Sequence, residues 1–231
     1  MPQFMVMVVE DEAESRTLTP SQTKSLVDAN AAYEAKLRAA AVFLDGERLR
    51  PSSEGRRVRG VDVHAGPFGD KVLSAYYVIE AKALDDATRL AEDCPLPPGG
   101  ALDVRPLMKG SHRPDRSNER GRIYAFAVLG NAKTEQGWID VMDRIDASTR
   151  DAFPQGRALG GVRLLEPGRG QRVTASGGRR ATFDGPFLES KEVIGGLFFL
   201  RMANVAEAVA WAQSSAFTQH GALEIRELWR S

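Results

Sequence analysis

The stretch FDGPFLESKE, residues 183–192, contains the most constrained backbone in this sequence. Proline fixes φ and glycine tolerates conformations that other residues avoid, so Gly185-Pro186 predicts a tight turn. Asp184 comes directly before this turn, and the apolar run 197–200 follows it. The order predicts that a hairpin ends at Asp184 and that a central strand begins shortly after the turn.

The composition is that of a globular chain with no bias toward a polyanionic partner. Of the 231 residues, 42% are hydrophobic and 27% are charged, which suits one large domain or two small ones. The 31 basic and 31 acidic residues give a formal net charge of zero, so nucleic-acid binding, which needs phosphate neutralisation, is not expected. One cysteine and three scattered histidines predict no disulfide, no metal site and no cofactor.

The sequence also carries no signal that directs it to a membrane. No apolar run approaches the roughly 18 residues of a membrane span. The first residues, MPQFM, lack the basic region and the cleavage site of a signal peptide. We therefore expect a cytoplasmic protein without a membrane partner.

The first 107 residues predict strands and two helices in the order β-α-ββ-β-α-β. Thr19-Pro20-Ser21-Gln22 predicts a helix start, because Thr19 can cap, Pro20 suits the first position and Gln22 completes a capping box. The second helix is predicted at 84–94, with Pro95 ending it. Strands are predicted at 4–9, 42–49 with a break at 45–46, 56–63, 72–79 and 101–107.

The same order recurs after a polar stretch at 108–120. Strands are predicted at 123–129, 159–165, 171–183, 193–202 and 222–229, with helices that begin at Thr134 and Asn204. The segments AGPF (65–68) and DGPF (184–187) are 119 residues apart, and LDVR (102–105) and LEIR (223–226) are 121 apart. Two landmarks at nearly constant separation predict a tandem duplication. The expected organisation is a domain at 1–107, a linker at 108–121 and a second domain at 122–231.

These motifs resemble the YCII-related family, also called the DGPF-motif family. The resemblance rests on Asp184-Gly185-Pro186-Phe187, on the Glu189, Lys191 and Gly195-Gly196 that follow, and on the closing LEIR. It covers roughly residues 3–107 and 122–229. The first part is the more degenerate copy, because Ala65 stands where the motif has its aspartate.

The resemblance implies an α+β fold of two ferredoxin-like domains. Such domains pair sheet to sheet into a dimeric α+β barrel, and a tandem chain can form this pair within itself as a pseudo-dimer. The superfamily includes lactone isomerases and cofactor-free monooxygenases, so fold analogy sets only a weak expectation for function. We expect Tyr76, Val78 and Phe198, or their strand neighbours, near the shared interior.

Asp184 is the first candidate for a catalytic residue, acting as general acid or base at the mouth of a cleft. The alternative is that this aspartate only caps a turn. Glu189 and Lys191 are candidate ligand-binding neighbours. His64 is a second catalytic candidate, because it directly precedes Ala65, the residue that aligns with Asp184 in the second copy of the motif. The alternative for any histidine here is an exposed surface residue, as expected for His220 at a turn.

Arg226 and Arg105 are candidate ligand-binding residues on the closing strands of the two repeats. Glu224 lies two residues before Arg226, and Asp103 two before Arg105, so each pair shares a strand face. Either pair could bind an anion or form an outward-facing structural ion pair. Other arginines cluster in the hairpins, where they either protect strand edges or attract an acidic partner.

Two functions remain open at this point. The first is a cofactor-free enzyme that moves a proton on a small organic anion, with Asp184 as acid or base and Arg226 as electrostatic partner. The second is a non-catalytic metabolite-binding, regulatory or protein-interaction module. The degenerate first copy is compatible with both and predicts one functional site per chain. The assembly is expected to be a monomeric pseudo-dimer or a homodimer.

Overall fold

The structure is a computed structural model that describes residues 1–69, 71–109, 121–130, 157–176, 179–185 and 193–229, and the helical residues 137, 139, 140, 143 and 147. The described elements are strands and helices of an α+β protein. The chain divides into two compact units. Unit 1 comprises residues 1–48, 68–107 and 167–187, and unit 2 comprises 49–67, 108–166 and 188–231.

Unit 1 is an antiparallel sheet with helices. Its elements are β1 (Gln3–Asp11), α1 (Glu12–Ser15), α2 (Pro20–Ala39), β2 (Phe43–Leu49), β5 (Lys71–Glu80), α3 (Leu84–Ala91), β6 (Ala101–Pro106), β9 (Gln171–Ser176) and β10 (Arg179–Asp184). In the described part of the unit the strand order is β10-β9-β6-β1-β5-β2. The helix-side core contains Val6, Tyr77, Ala87 and Val173.

Unit 2 repeats this arrangement. Its elements are β3 (Arg56–Arg59), β4 (Asp62–Ala65), β7 (Arg122–Gly130), β8 (Ala158–Arg163), β11 (Val193–Met202), α4 (Val205–Ser214) and β12 (Ala222–Trp229). Its described strand order is β4-β3-β12-β7-β11-β8, again antiparallel. The helix-side core contains Val58, Phe126, Phe198 and Leu223.

Each of two hairpins is exchanged: it pairs with a strand from the other half of the sequence. The hairpin β3–β4 follows β2 in sequence, yet β3 pairs with β12 in unit 2. The hairpin β9–β10 follows β8, yet β9 pairs with β6 in unit 1. The compact units therefore differ from the contiguous segments 1–107 and 122–231, because long-range strand pairing assigns each hairpin to the unit that contains most of the other segment.

Local sequence signals agree with the structure at the starts of α2 and α4. Thr19 caps α2 with a complete capping box to Gln22, and Pro20 is its first residue. Asn204 caps α4 and accepts a hydrogen bond from the Glu207 backbone N–H. These contacts are local in sequence, so the pattern predicts them directly.

Four local predictions need correction. The single strands predicted at 56–63 and 171–183 are each a pair of strands, β3–β4 and β9–β10. Strand β2 is not broken at Asp45-Gly46; it continues to Leu49 with a register shift between Phe43 and Asp45. A Cβ on Gly46 would lie 2.9 Å from the Tyr77 ring, so this glycine allows close packing within the strand. Helix α3 ends at Ala91 rather than Cys94.

The other predicted segments lie near their expected positions. The strands predicted at 4–9, 72–79, 123–129 and 193–202 correspond to β1, β5, β7 and β11. The expected linker lies mostly outside the described residues, and Met108 at its start donates its backbone N–H to the Arg163 carbonyl oxygen at 2.8 Å in unit 2. In the described part of the chain, we find no helix whose length and apolarity would suit a membrane span.

Candidate functional site

Alternate residues of β10 bind α3 and the segment that follows it in unit 1. Arg180 donates from Nη2 to the carbonyl oxygen of Cys94 at 2.6 Å. The Thr182 hydroxyl donates to Glu92 Oε1 at 3.1 Å. Side chains alternate between the two faces of a strand, so Asp184 lies on this same face. The exchanged hairpin is thus attached to the segment that follows α3 along one side of its outer strand.

Asp184 is the last residue of β10, and a hydrogen-bond network connects it to α3. Its Oδ1 accepts a bond of 3.1 Å from Gln171 Nε2, and Asp85 Oδ1 accepts another of 3.1 Å from the same nitrogen. The Thr88 hydroxyl donates to Gln171 Oε1 at 2.7 Å. Asp85 lies in the first turn of α3 and Thr88 one turn further, so two carboxylates and one amide meet at the amino end of this helix.

The surroundings of Asp184 favour binding over proton transfer. The side chain is exposed, as are the other residues of β10. General acids and bases work best where water is excluded from the reacting groups. An exposed carboxylate beside a second carboxylate offers hydrogen-bond acceptors to hydroxyl or amino groups.

The turn after Asp184 is described only at its first residue. Gly185 has a φ of 87°, a conformation that side chains rarely adopt, and its N–H donates to the Gly170 carbonyl oxygen at 2.9 Å. This agrees with the tight turn expected there. The candidates Glu189 and Lys191 lie outside the described residues, so their places next to Asp184 stay predictions.

Arg226 belongs to unit 2 and is buried, with 2% of its surface exposed. Its Nε donates to the Arg50 carbonyl oxygen at 2.7 Å, Nη2 donates to the same oxygen, and Nη1 donates to Glu224 Oε1 at 3.1 Å. Glu224 Oε2 also accepts from Arg57 Nη2 at 2.7 Å. The pair therefore does not face outward; it joins the exchanged hairpin to the closing strand β12.

Arg105 is the counterpart of Arg226 in unit 1, and it is 1% exposed. A Cβ on Gly170 would lie 2.6 Å from Arg105 Cγ, so the glycine makes room for the arginine stem. Burial raises the pKa of the neighbouring Asp103 carboxyl, and the charges of Arg105 and Arg172 oppose that shift. The register places Asp103 directly opposite Arg172 of the exchanged hairpin.

His64 lies on the exposed edge strand β4 of unit 2, directly opposite Arg57. Asp184 belongs to unit 1, whereas His64 and Arg226 belong to unit 2. Neither unit by itself brings these three candidates together. A common site for them stays a prediction, as do the ligand-binding roles of Arg226 and Arg105.

Sequence reasoning missed Gln171 and Thr88 as members of the Asp184 network. Gln171 could have been found from the hairpin register, because it lies directly opposite Asp184. Thr88 is 83 residues away from Gln171 in the chain, and no local pattern points from one to the other. It is found only once the hairpin exchange is known.

Comparisons with solved structures find matches with low TM-scores. A heme-binding protein from Thermus thermophilus matches with 8% identity and a TM-score of 0.41, over 99% of this chain and 91% of that one. A mutant chlorite dismutase from Candidatus Nitrospira defluvii matches with 12% identity and a TM-score of 0.39, over 99% and 91%. Structural similarity at this level does not assign the activity of either protein to this chain.

Sequence comparison identifies a known domain family in the second half of the chain. No curated protein matches the chain in sequence. The family model of the YCII-related domain matches residues 117–231, which include the Asp184-Gly185-Pro186-Phe187 motif. Residues 117–231 are therefore a YCII-related domain.

Proposed function

We propose that this protein binds a small molecule at Asp184 and works as a non-catalytic metabolite-binding or regulatory module. The observation that carries the proposal is the exposed Asp184 carboxylate, which Gln171 connects to Asp85 at the amino end of α3. The groups needed for hydrogen-bond recognition are in place there. The exclusion of water that proton transfer favours is not a property of this exposed strand.

The chemistry of the network narrows the ligand class. Asp184 and Asp85 offer carboxylate oxygens, so the ligand needs hydrogen-bond donors such as hydroxyl or amino groups. A small organic anion is compatible with this requirement when it is a hydroxy acid or an amino acid. A simple carboxylate without a donor would face two like charges at close range, which disfavours its binding.

We also propose that the two repeats arose by tandem duplication and form an intramolecular pseudo-dimer of ferredoxin-like domains. Both units have the same strand order, which supports the duplication. The sheet face opposite the helices is buried in each unit, at Met5, Tyr76 and Val78 in unit 1 and at Ala125 and Phe199 in unit 2. An apolar sheet face needs a covering layer, which a pseudo-dimer would supply. Light scattering coupled to gel filtration distinguishes a monomeric pseudo-dimer from a homodimer.

A second candidate function is a cofactor-free enzyme in which Asp184 is the general acid or base. The asymmetry of the two units favours this enzyme function. Ala65 replaces the carboxylate in unit 2, as expected for an enzyme with one active site per chain. The two functions differ in one measurable outcome. An enzyme converts the compound it binds, whereas a binding module returns it unchanged when the mixture is analysed by NMR.

The experiment is a thermal-shift screen of hydroxy acids, amino acids, polyols and simple carboxylates. A compound at 100 times its Kd stabilises the folded protein by about 2.7 kcal/mol, which raises Tm by several degrees. The matched variants are Asp184→Asn and Asp62→Asn, since Asp62 is an exposed carboxylate on the equivalent strand β4. A shift that Asp184→Asn removes and Asp62→Asn retains supports the proposal. A screen whose shifts are equal in both variants contradicts it.

A further inference from the structure

We propose that Gln171 is the positioning residue of the Asp184 site, and that it couples the site to α3 of the other repeat. This inference rests on the proposed function, because it specifies how the binding carboxylate is held. The Gln171 amide contacts Asp184, Asp85 and Thr88 at hydrogen-bond distance. The side chain that presents the ligand-binding group is therefore oriented by the first repeat, through an amide in the second.

The backbone holds Gln171 in a fixed place. Its strand β9 lies between two others, and Gln171 pairs with Val104 of β6 on one side and with Asp184 of β10 on the other. Val173, two residues further along the same face, is fully buried in the helix-side core. The Gln171 side chain thus starts from an anchored strand and reaches toward α3.

The partners of Gln171 leave its amide one orientation. Both N–H groups are needed for the two carboxylates, and the amide oxygen accepts from the Thr88 hydroxyl. A rotation of the amide by 180° would place its oxygen against two carboxylate oxygens and its nitrogen against the hydroxyl donor. Thr88 is 3% exposed, so its hydroxyl direction is constrained by packing.

Unit 2 lacks the same residues at the equivalent positions, which indicates that the network acts as one feature. Helix α4 aligns with α3 at a separation of 121 residues, at which the fully buried Ala87 and Ala91 match Ala208 and Ala212. Gln171, Asp184, Asp85 and Thr88 correspond to Arg56, Ala65, Ala206 and Val209. All four polar members are replaced together, so unit 2 folds without them.

The test follows the carboxyl carbon of Asp184 by NMR in protein labelled with ¹³C-aspartate, assigned with Asp184→Asn. Gln171→Leu removes the amide, and Thr88→Val removes a hydroxyl that makes no contact with Asp184 in the network. Asp85→Asn is a milder variant, because Asp85 is exposed on the first turn of α3. The control is Thr182→Val, which removes a hairpin bond to Glu92 that does not pass through Gln171.

We expect Gln171→Leu, Thr88→Val and Asp85→Asn to shift the Asp184 carboxyl resonance, and Thr182→Val to leave it in place. The inference is overturned if the Asp184 resonance stays in place in both Gln171→Leu and Asp85→Asn, or if Thr182→Val moves it equally. This readout uses no ligand. A shifted resonance together with a thermal screen in which no response depends on Asp184 would support positioning and reject the proposed function.

Discussion

The two units place an exchanged hairpin on their second helix in the same way, but they differ at the junction. In unit 1 the hairpin end carries Asp184 and Gln171, and the Gln171 amide nitrogen donates to both Asp184 and Asp85 of α3. In unit 2 the equivalent hairpin positions are Ala65 and Arg56, and the helix offers Ala206 and Val209. The apolar positions, by contrast, are alike: Val173 and Val58 are both fully buried. The fold needs the apolar contacts in both units, whereas the polar network is an addition to unit 1.

This difference bears on what kind of feature Asp184 is. A carboxylate that only capped a turn would serve equally well in both hairpins, because both end in Gly-Pro. In unit 2, however, both the carboxylate and the residues that orient it in unit 1 are replaced by other residue types. The carboxylate and its three partners are therefore present together in unit 1 and replaced together in unit 2, as one polar feature of unit 1.

The largest expected effect comes from the residues that the two units share. Val173→Asp and Val58→Asp each place a carboxylate in the core of the unit that receives the hairpin, and each should lower the free energy of unfolding by more than about 4 kcal/mol. Urea denaturation measures this. Val63→Asp is the control, since Val63 lies opposite Val58 but is 40% exposed. Equal effects of Val58→Asp and Val63→Asp would show that the hairpin does not contribute to the core of unit 2.

The second effect concerns the buried ion pairs that join hairpin and closing strand in unit 2. Glu224→Gln removes the charge that faces Arg57 and the nearly buried Arg226. An uncompensated buried guanidinium should lower the free energy of unfolding by about 3 kcal/mol. Denaturation at neutral pH checks this prediction. If the free energy of unfolding falls by less than about 0.5 kcal/mol, the pair contributes no more than an ordinary surface salt bridge, and the prediction is wrong.

The corresponding carboxylate of unit 1 should behave differently with pH. Burial raises the pKa of Asp103 above 3.8, so its contribution to stability is complete below that pH and is lost as the pH rises through the folded-state pKa. Asn does not titrate, so Asp103→Asn should gain stability relative to the wild type as the pH rises from about 4 to 7. Urea denaturation of both proteins across this range provides the measurement. A relative loss of stability toward neutral pH would mean that the charges of Arg105 and Arg172 outweigh burial.

Asp184→Asn should change recognition far more than stability. Because Asp184 is exposed at a strand end, the free energy of unfolding of the variant should stay within about 0.5 kcal/mol of the wild-type value. The same variant should lose the thermal shift caused by compounds that stabilise the wild type. Ala65→Asp should produce no new response, because Arg56, Ala206 and Val209 do not supply the network. A large loss of stability with an unchanged compound response would instead assign Asp184 to the turn.

The sequence predicts the parts of this fold that depend on neighbours in the chain. The capping box at Thr19 and the cap at Asn204 follow from residues within one turn, and the strands follow from short apolar runs. The hairpin exchange does not follow, because Arg57 and its partner Glu224 are 167 residues apart. The pattern of buried and exposed side chains along β3 would be the same if β3 paired with a strand close to it in sequence, so this pattern does not identify β12 as its partner.

The candidate site shows the same division between local and long-range information. Asp184 stands out because the Gly-Pro that follows constrains its backbone. Arg226 and Arg105 are noticeable in the sequence as charged residues on predicted strands. Their charge does not reveal that both side chains are buried in the folded protein. Gln171 and Thr88 are unremarkable in sequence, and their role depends on which helix receives the hairpin.

The smallest expected effect tests whether the hairpin of unit 1 opens as a body. Cys94 is the only cysteine of the chain and is fully buried, and burial raises its thiol pKa to about 12. The native thiol should therefore resist iodoacetamide at pH 8, where the reactive thiolate is scarce, and react in urea. Because Arg180 of the hairpin donates to the Cys94 carbonyl oxygen, Arg180→Ala should favour opening and speed native alkylation about fivefold, the factor for roughly 1 kcal/mol. Arg179→Ala is the control, since Arg179 lies one residue away on the opposite face of β10. Mass spectrometry of the modified peptide gives the rate, and equal rates in the two variants would show that Cys94 becomes accessible by a motion that does not involve the hairpin.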